Sequence, residues 1–107
     1  MQPVFEDGVA AIRGTHDYVA LRAKLRRTLE RLRATRDGEA RRLAIRGFEA
    51  TQRGVEARIA FVENDRGNIE AATRDALRAD VALRRGAVLL RAAGRMLGEP
   101  VGDLNGY

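Results

Sequence analysis

The stretch that decides the fold is residues 69–98, IEAATRDALRADVALRRGAVLLRAAGRMLG. An aliphatic residue recurs there every seven positions, at Ile69, Ala76, Leu83, Leu90 and Leu97. A small residue lies three places after each of the first four, at Ala72, Ala79, Gly86 and Ala93. This pattern is typical of a helix that packs closely against another helix. Because Gly98 and Pro100 end it, the stretch predicts one long helix over about 69–97.

Two further helices are predicted upstream. Tyr18 and the leucines after it recur at intervals of three or four, and Thr15 is a candidate N-cap before them. This indicates a first helix over about 15–36, ended by Gly38 as a left-handed C-cap. A second helix is expected over about 39–64.

The ends of the chain are less regular. Residues 1–14 are either a short helical arm or an irregular one, because Gly8 interrupts their apolar pattern. Asn68 is expected to cap the last helix after a turn over 64–68, and an irregular tail over 98–107 follows that helix. We therefore expect a single helical domain over 1–107.

Short connections force consecutive helices to lie side by side and antiparallel. The predicted class is all-α: an elongated antiparallel three-helix bundle, or a long helical hairpin with the first helix packed across it. The chain length and the succession of three predicted helices resemble those of spectrin-like repeats and of bacterial coiled-coil proteins. No diagnostic residue in the sequence supports the transfer of a function from either group.

Composition narrows the class of protein. The 107 residues contain no cysteine, so disulfides and thiolate metal sites are excluded. No apolar stretch approaches the ~20 residues that a membrane span needs, and the N-terminus does not resemble an ordinary secretory signal. We expect a soluble cytoplasmic protein.

Glycines and exposed aliphatic residues suggest where helices meet. The second helix has apolar residues on two sides, and Gly47 and Gly54 favour the close approach of another backbone. On the third helix, Leu77, Val81 and Val88 lie opposite the heptad stripe among arginines. We assign these five residues to an oligomer interface, and a homodimer with a four-helix centre is the expected assembly.

Charge is concentrated in the first half of the chain. Residues 22–58 hold twelve basic and five acidic side chains, whereas the whole chain has a net charge of +5. The residues expected to contact an acidic partner or phosphate are Arg26, Arg27, Arg41 and Arg42. A basic surface of this kind also fits sequence-independent binding to nucleic acid.

Catalytic and metal chemistry finds little support. His16 is the sole histidine and is best explained as a capping or exposed residue. Glu49, Glu56 and Glu63 recur every seven residues, but the Glu-x-x-His element of di-metal bundles is missing. Since no phosphate loop or nucleophile elbow is present either, we assign no catalytic, cofactor-binding or metal-ligating residue.

The sequence therefore predicts a non-enzymatic helical assembly or adaptor protein that binds other proteins, as a homodimer. The alternative is a sequence-independent nucleic-acid-binding protein that uses the basic surface around the turn between the first two predicted helices. Binding to a membrane surface is the least favoured alternative, because the leucines of the first predicted helix are needed for the core.

Overall fold

The computed structural model describes residues 1–64 and 67–104, and within those residues it contains helices and no strand. The four helices of this part are α1 (Gln2–Gly14), α2 (Tyr18–Arg33), α3 (Glu39–Asn64) and α4 (Ile69–Leu97). The all-α class is thus confirmed for the described chain. Its principal extents are 45 × 22 × 21 Å. None of these helices is long and apolar enough to cross a membrane.

The N-terminal arm is a complete helix rather than an irregular segment. Its buried residues include Gly8, which the sequence marked as an interruption. A Cβ atom at Gly8 would lie 2.7 Å from Cγ2 of Thr28, so the missing side chain lets α1 approach α2 closely. The Phe5 ring meets the Phe48 ring edge to face, with centroids 5.9 Å apart, and this contact joins α1 to α3.

The ends of α2 differ from the prediction of about 15–36. The side chain of Asp17, not that of Thr15, caps the helix, accepting hydrogen bonds from the backbone N–H groups of Val19 (2.9 Å) and Ala20 (3.3 Å). Thr15 instead accepts a hydrogen bond from Nζ of Lys24 at 3.0 Å. An Asp in the extended conformation reaches these free N–H groups, so the helix begins after it.

The other end of α2 is closed by a side chain from α3. The guanidinium of Arg41 donates to the carbonyl oxygens of Leu32 (2.9 Å) and Arg33 (3.0 Å). These carbonyls belong to the last turn of α2, where a cation is favourable. The carbonyl of Leu32 also accepts hydrogen bonds from the backbone N–H (3.0 Å) and Oγ1 (2.6 Å) of Thr35. Gly38 is not in the left-handed region, and its predicted role as the C-cap is wrong; the C-cap is Ala34.

The long helices α3 and α4 form an extensively packed antiparallel pair. Gly47 lies against Leu90, Thr51 against Gly86, and Gly54 against Leu83, so the contacts run in opposite directions along the two helices. Asn68 caps α4 by accepting from the N–H of Ala71 at 3.1 Å, as predicted. The centre of the predicted turn, residues 65–66, lies outside the described residues.

The remaining helices are added to this pair in series. α2 packs chiefly on α3, and α1 packs chiefly on α2. The largest fully buried side chains come from all four helices: Phe5, Phe48, Leu25, Leu32, Leu90 and Val55. α3 therefore has neighbours on two flanks, as its two apolar sides predict.

The C-terminal segment continues the core beyond α4. Gly98 ends α4 in the left-handed conformation, with φ of 70°. Val101 and Leu104 are then buried against the helices, although residues 99–104 form no helix or strand. Residues 105–107 of the predicted tail lie outside the described part of the chain.

Replacement of Asp17 by Ala is expected to destabilise the protein by about 1 kcal/mol, because two N–H groups of α2 lose their acceptor. Thr15→Ala removes only an exposed hydrogen bond and should change stability by less than about 0.5 kcal/mol. Urea unfolding of the two variants measures the difference. Equal losses would contradict the assignment of the cap to Asp17.

Gly86→Ala is expected to destabilise the protein by about 1–3 kcal/mol, since overpacking forces backbones apart. A Cβ atom at Gly86 would lie 3.0 Å from the carbonyl oxygen of Gly47 and 3.0 Å from the backbone nitrogen of Thr51. The matched control is Gly14→Ala, where a Cβ would meet nothing within 4 Å. That change should be neutral or stabilising, because alanine reduces the conformational entropy of the unfolded chain. Thermal unfolding of both variants tests the contrast, and an unchanged Gly86→Ala protein would refute it.

Candidate interaction surfaces

Gly47 and Gly54 lie inside the α3–α4 pair. Both are buried, and a Cβ atom would lie 2.8 Å from Cγ of Leu90 at Gly47 and 2.7 Å from Cδ2 of Leu83 at Gly54. The close approach that these glycines predict is therefore made by α4 of the same chain. Their assignment to an oligomer interface is replaced by an intramolecular role, because α4 already covers them.

Leu77, Val81 and Val88 remain exposed along α4. Their relative exposures are 61%, 68% and 59%. The opposite face of α4 contributes Leu83 and Leu90 to the core, so these three side chains lie on the solvent-facing side of α4. We name this set the α4 ridge. It is an apolar stripe on the surface of a single copy.

A groove lies between α3 and α4 at the surface, and Leu77 and Val81 of the α4 ridge form part of its lining. Its volume is about 650 Å³, and its lining consists of Arg53, Glu56, Ala57, Ala60, Leu77, Arg78, Val81 and Ala82. We name it the α3–α4 groove. Ala57 and Ala60 keep it open because they carry only methyl groups. Their spacing of three residues places both alanines on one face of α3, but the sequence alone did not indicate a groove there.

The charged side chains that line the α3–α4 groove are Arg53, Glu56 and Arg78. Arg58 of α3 and Asp80 of α4 form an ion pair across the two helices, with Nη2 and Oδ1 2.7 Å apart. Nη1 of Arg78 lies 3.4 Å from Oδ1 of Asp75 on the same helix. Glu56 is exposed on the α3 side. The rim thus carries both signs of charge.

The four predicted phosphate-contacting arginines have different roles. Arg41 caps α2 and its side chain is only 17% exposed, so it is not available to a partner. Arg42 lies 3.9 Å from a carboxylate oxygen of Asp37. Arg26 and Arg27 are exposed and have no ion pair or hydrogen bond within residues 1–64 and 67–104. Of the predicted set, Arg26 and Arg27 are the ones whose guanidinium groups lack an ion pair or hydrogen bond in the part of the chain that the structure describes.

A second groove separates α1 from α2. It has a volume of about 500 Å³, and its lining includes Asp7, Ala10, Ala11, Gly14, Thr15, Lys24, Arg27, Thr28 and Arg31. Arg31 of α2 pairs with Asp7 of α1 at 3.0 Å. Sequence reasoning missed this α1–α2 groove because it did not fix α1 beside α2.

His16 lies at the mouth of a smaller cavity. The cavity has a volume of about 300 Å³, and its lining includes Ile12, Thr15, His16, Tyr18, Leu21, Thr51, Val55, Leu83, Ala87 and Leu104. His16 is exposed, as expected, but Asp17 rather than His16 caps α2. Its imidazole makes no hydrogen bond with the described residues, and no group of three or more His, Cys, Asp or Glu side chains suited to a metal occurs among them.

Two carboxylates meet where α1 contacts the C-terminal segment. The charge of Glu99, and a hydrogen bond to it, raise the pKa of Glu6 above its ordinary value of 4.5. Nε2 of Gln2 donates a hydrogen bond to Oε1 of Glu99. Ionisation of Glu6 therefore costs stability in the folded chain, because two negative charges are brought together.

The substitution Glu6→Gln is expected to raise the melting temperature at pH 7. Because folding raises the pKa of Glu6, its stabilising contribution is complete below pH 4.5 and is lost as the pH rises through the folded-state pKa. The parent and the variant should therefore unfold at similar temperatures at low pH and separate as the pH rises through the folded-state pKa of Glu6. Thermal unfolding across a pH series measures this.

The reciprocal change provides the control. Glu99→Gln removes the same repulsion, so it should give a similar gain at pH 7, and the double variant should add little more. A Glu6→Gln protein less stable than its parent at pH 7 would contradict the proposed repulsion.

No family model, curated protein or solved structure matches this chain.

Proposed function

We propose that this protein is a non-enzymatic helical assembly protein that associates with a second copy of itself through the α4 ridge and the α3–α4 groove. The observation that carries the proposal is the exposure of Leu77, Val81 and Val88, at 59–68%, on one face of a single helix. Aliphatic side chains lined up in this way beside an open groove are typical of a protein interface. The antiparallel four-helix centre would then consist of α3 and α4 from each copy.

The free energy gained by burying apolar side chains favours a symmetric dimer over a complex with a partner that has no apolar surface. Complete burial of an aliphatic side chain stabilises by about 1.5–3 kcal/mol, so one ridge that is already partly covered supplies about 3–5 kcal/mol. Association costs at least about 4 kcal/mol in lost translation and rotation. One ridge alone therefore barely compensates for association. In a two-fold dimer both copies bury their ridges, and the apolar gain doubles.

The charges of the rim are compatible with such a pairing. Arg53 and Glu56 on the α3 side and Arg78 on the α4 side all line the groove. A two-fold axis presents the same surface on both copies, so an acidic group of one copy can meet a basic group of the other. If the rim carried a single sign of charge, the rims of the two copies would repel each other. The mixed rim of the α3–α4 groove avoids that repulsion.

Surfaces outside this interface stay available to another protein. α2 and α1 lie on the far flank of α3, since α2 packs chiefly on α3 and α1 on α2. A dimer built on α4 would therefore display two copies of this flank. That arrangement supports an adaptor role, in which assembly presents the same binding surface twice.

Val81→Arg is expected to weaken the dimer at least about ten-fold, because it places an unpaired charge from each copy at the centre of the interface. The mass in solution, measured by light scattering, should be about twice 11.8 kDa for the parent and near 11.8 kDa for the variant at the same concentration. Circular dichroism checks that Val81→Arg keeps its helices.

Val19→Arg is the matched control, since Val19 is 55% exposed on α2, away from the α4 ridge. It should leave the mass unchanged. A parent that stays monomeric at high concentration would refute the proposal, and dissociation by Val19→Arg as strong as that by Val81→Arg would refute the position of the interface.

A further inference from the structure

We propose that the exposed face of α2 binds the phosphate backbone of duplex DNA without reading its sequence. α2 carries six basic side chains and one acidic side chain, a net charge of +5 in Tyr18–Arg33. The net charge of the whole chain is also +5. The rest of the protein is thus neutral in sum, and one helix bears the excess charge. This surface differs from the α4 ridge, and its function does not require a dimer.

The basic residues of α2 form two rows. The row beside α3 consists of Arg22, Arg26 and Arg33, and its position is fixed by the ion pair of Arg33 with Glu49 of α3 at 3.3 Å. The row beside α1 consists of Lys24, Arg27 and Arg31, and its position is fixed by the ion pair of Arg31 with Asp7 of α1 at 3.0 Å. The spacings of three, four and seven residues keep each row on one edge of the helix.

Four of these six cations have no carboxylate partner among the described residues. They are Arg22, Lys24, Arg26 and Arg27. The ammonium of Lys24 contacts only a hydroxyl, that of Thr15 at 3.0 Å. In both rows the last arginine is held by a neighbouring helix while the earlier cations stay available. Those four side chains are the predicted phosphate contacts.

The separation of the rows favours duplex DNA. An α-helix with its side chains is about 10–12 Å across, close to the ~12 Å width of the major groove of B-form DNA. Rows on opposite edges of α2 can therefore contact phosphates on both sides of that groove. The major groove of an RNA duplex is too narrow for side chains to enter, so it offers no equivalent site.

The strip between the rows explains why no sequence is read. Its exposed residues are Val19, Ala23 and Glu30. Two of them are small or aliphatic, and the third repels phosphate, so phosphate contacts supply the affinity. An anionic membrane is a poorer partner because insertion needs an apolar face. The leucines of α2 are in the core, with 0–4% exposure.

The test is binding of the full chain to a fluorescent 20-base-pair DNA duplex across a salt series, followed by anisotropy. Four phosphate contacts predict a slope of about −3.6 in log K against log salt for each bound copy. Arg26→Gln combined with Arg27→Gln removes two contacts, so it should halve the slope and weaken binding roughly 100-fold at 50 mM salt. Circular dichroism confirms that the variant is folded.

The matched control is Arg84→Gln combined with Arg85→Gln. These neighbouring arginines are exposed on α4 and also lack an ion pair within the described residues, so the same two charges are lost elsewhere. This double variant should keep most of the parent's affinity and slope. An equal loss in the two double variants would show that net charge alone drives binding and would overturn the assignment to α2.

Three other results would also overturn the proposal. The first is no binding of the parent to the duplex at 50 mM salt. The second is equal or tighter binding to an RNA duplex or to single-stranded DNA of the same length. The third is binding to vesicles containing phosphatidylserine with no binding to DNA. A preference for the DNA duplex that depends on Arg26 and Arg27 would support it.

Discussion

The close approach of α3 and α4 is the constraint on which the rest of the structure depends. At Gly86 the backbone of α4 comes so near Gly47 and Thr51 that there is no room for a methyl group. Because two helix backbones this close allow almost no rotation about either axis, the face that each helix turns outward is fixed. Leu83 and Leu90 then occupy the spaces over Gly54 and Gly47, and the α4 ridge is left at the surface.

The second flank of α3 carries the other half of the fold. Phe48 lies there and is fully buried. α1 packs against its ring through Phe5 and through Gly8, where the absence of a side chain leaves room for the ring. α2 closes the same region with a stripe of leucines. The apolar ridge belongs to α4 and the two basic rows belong to α2. Since α4 and α2 occupy different flanks of α3, these two surfaces are separate. An apolar interface and a polyanion-binding face can therefore coexist without competing for one surface.

The position in the chain of the capping groups explains why the ends of α2 differ from the prediction while those of α4 agree with it. Asn68 and Gly98 cap α4 by contacts with residues of the same helix, so nearby sequence is sufficient to find them. At the N-terminus of α2, Thr15 and Asp17 are both good caps, and the backbone geometry selects Asp17. At the C-terminus the carbonyl of Leu32 accepts from Thr35, which is close in sequence, and also from Arg41, which comes from another helix. Sequence patterns near residue 36 contain no trace of that contact.

The sequence by itself determined the all-α class, the long helix from Ile69 to Leu97, the closeness of a backbone to Gly47 and Gly54, and the concentration of positive charge in the first half of the chain. These follow from periodicity, residue size and formal charge, which are local properties. Only the tertiary structure decided which backbone approaches the glycines and that α1 is a helix. It also decided that Arg41 binds carbonyl oxygens of α2, while Arg26 and Arg27 have no ion pair or hydrogen bond among the described residues. The physical reason is that a helical pattern fixes the face of a residue on its own helix, whereas burial and ion pairing depend on which helix lies opposite.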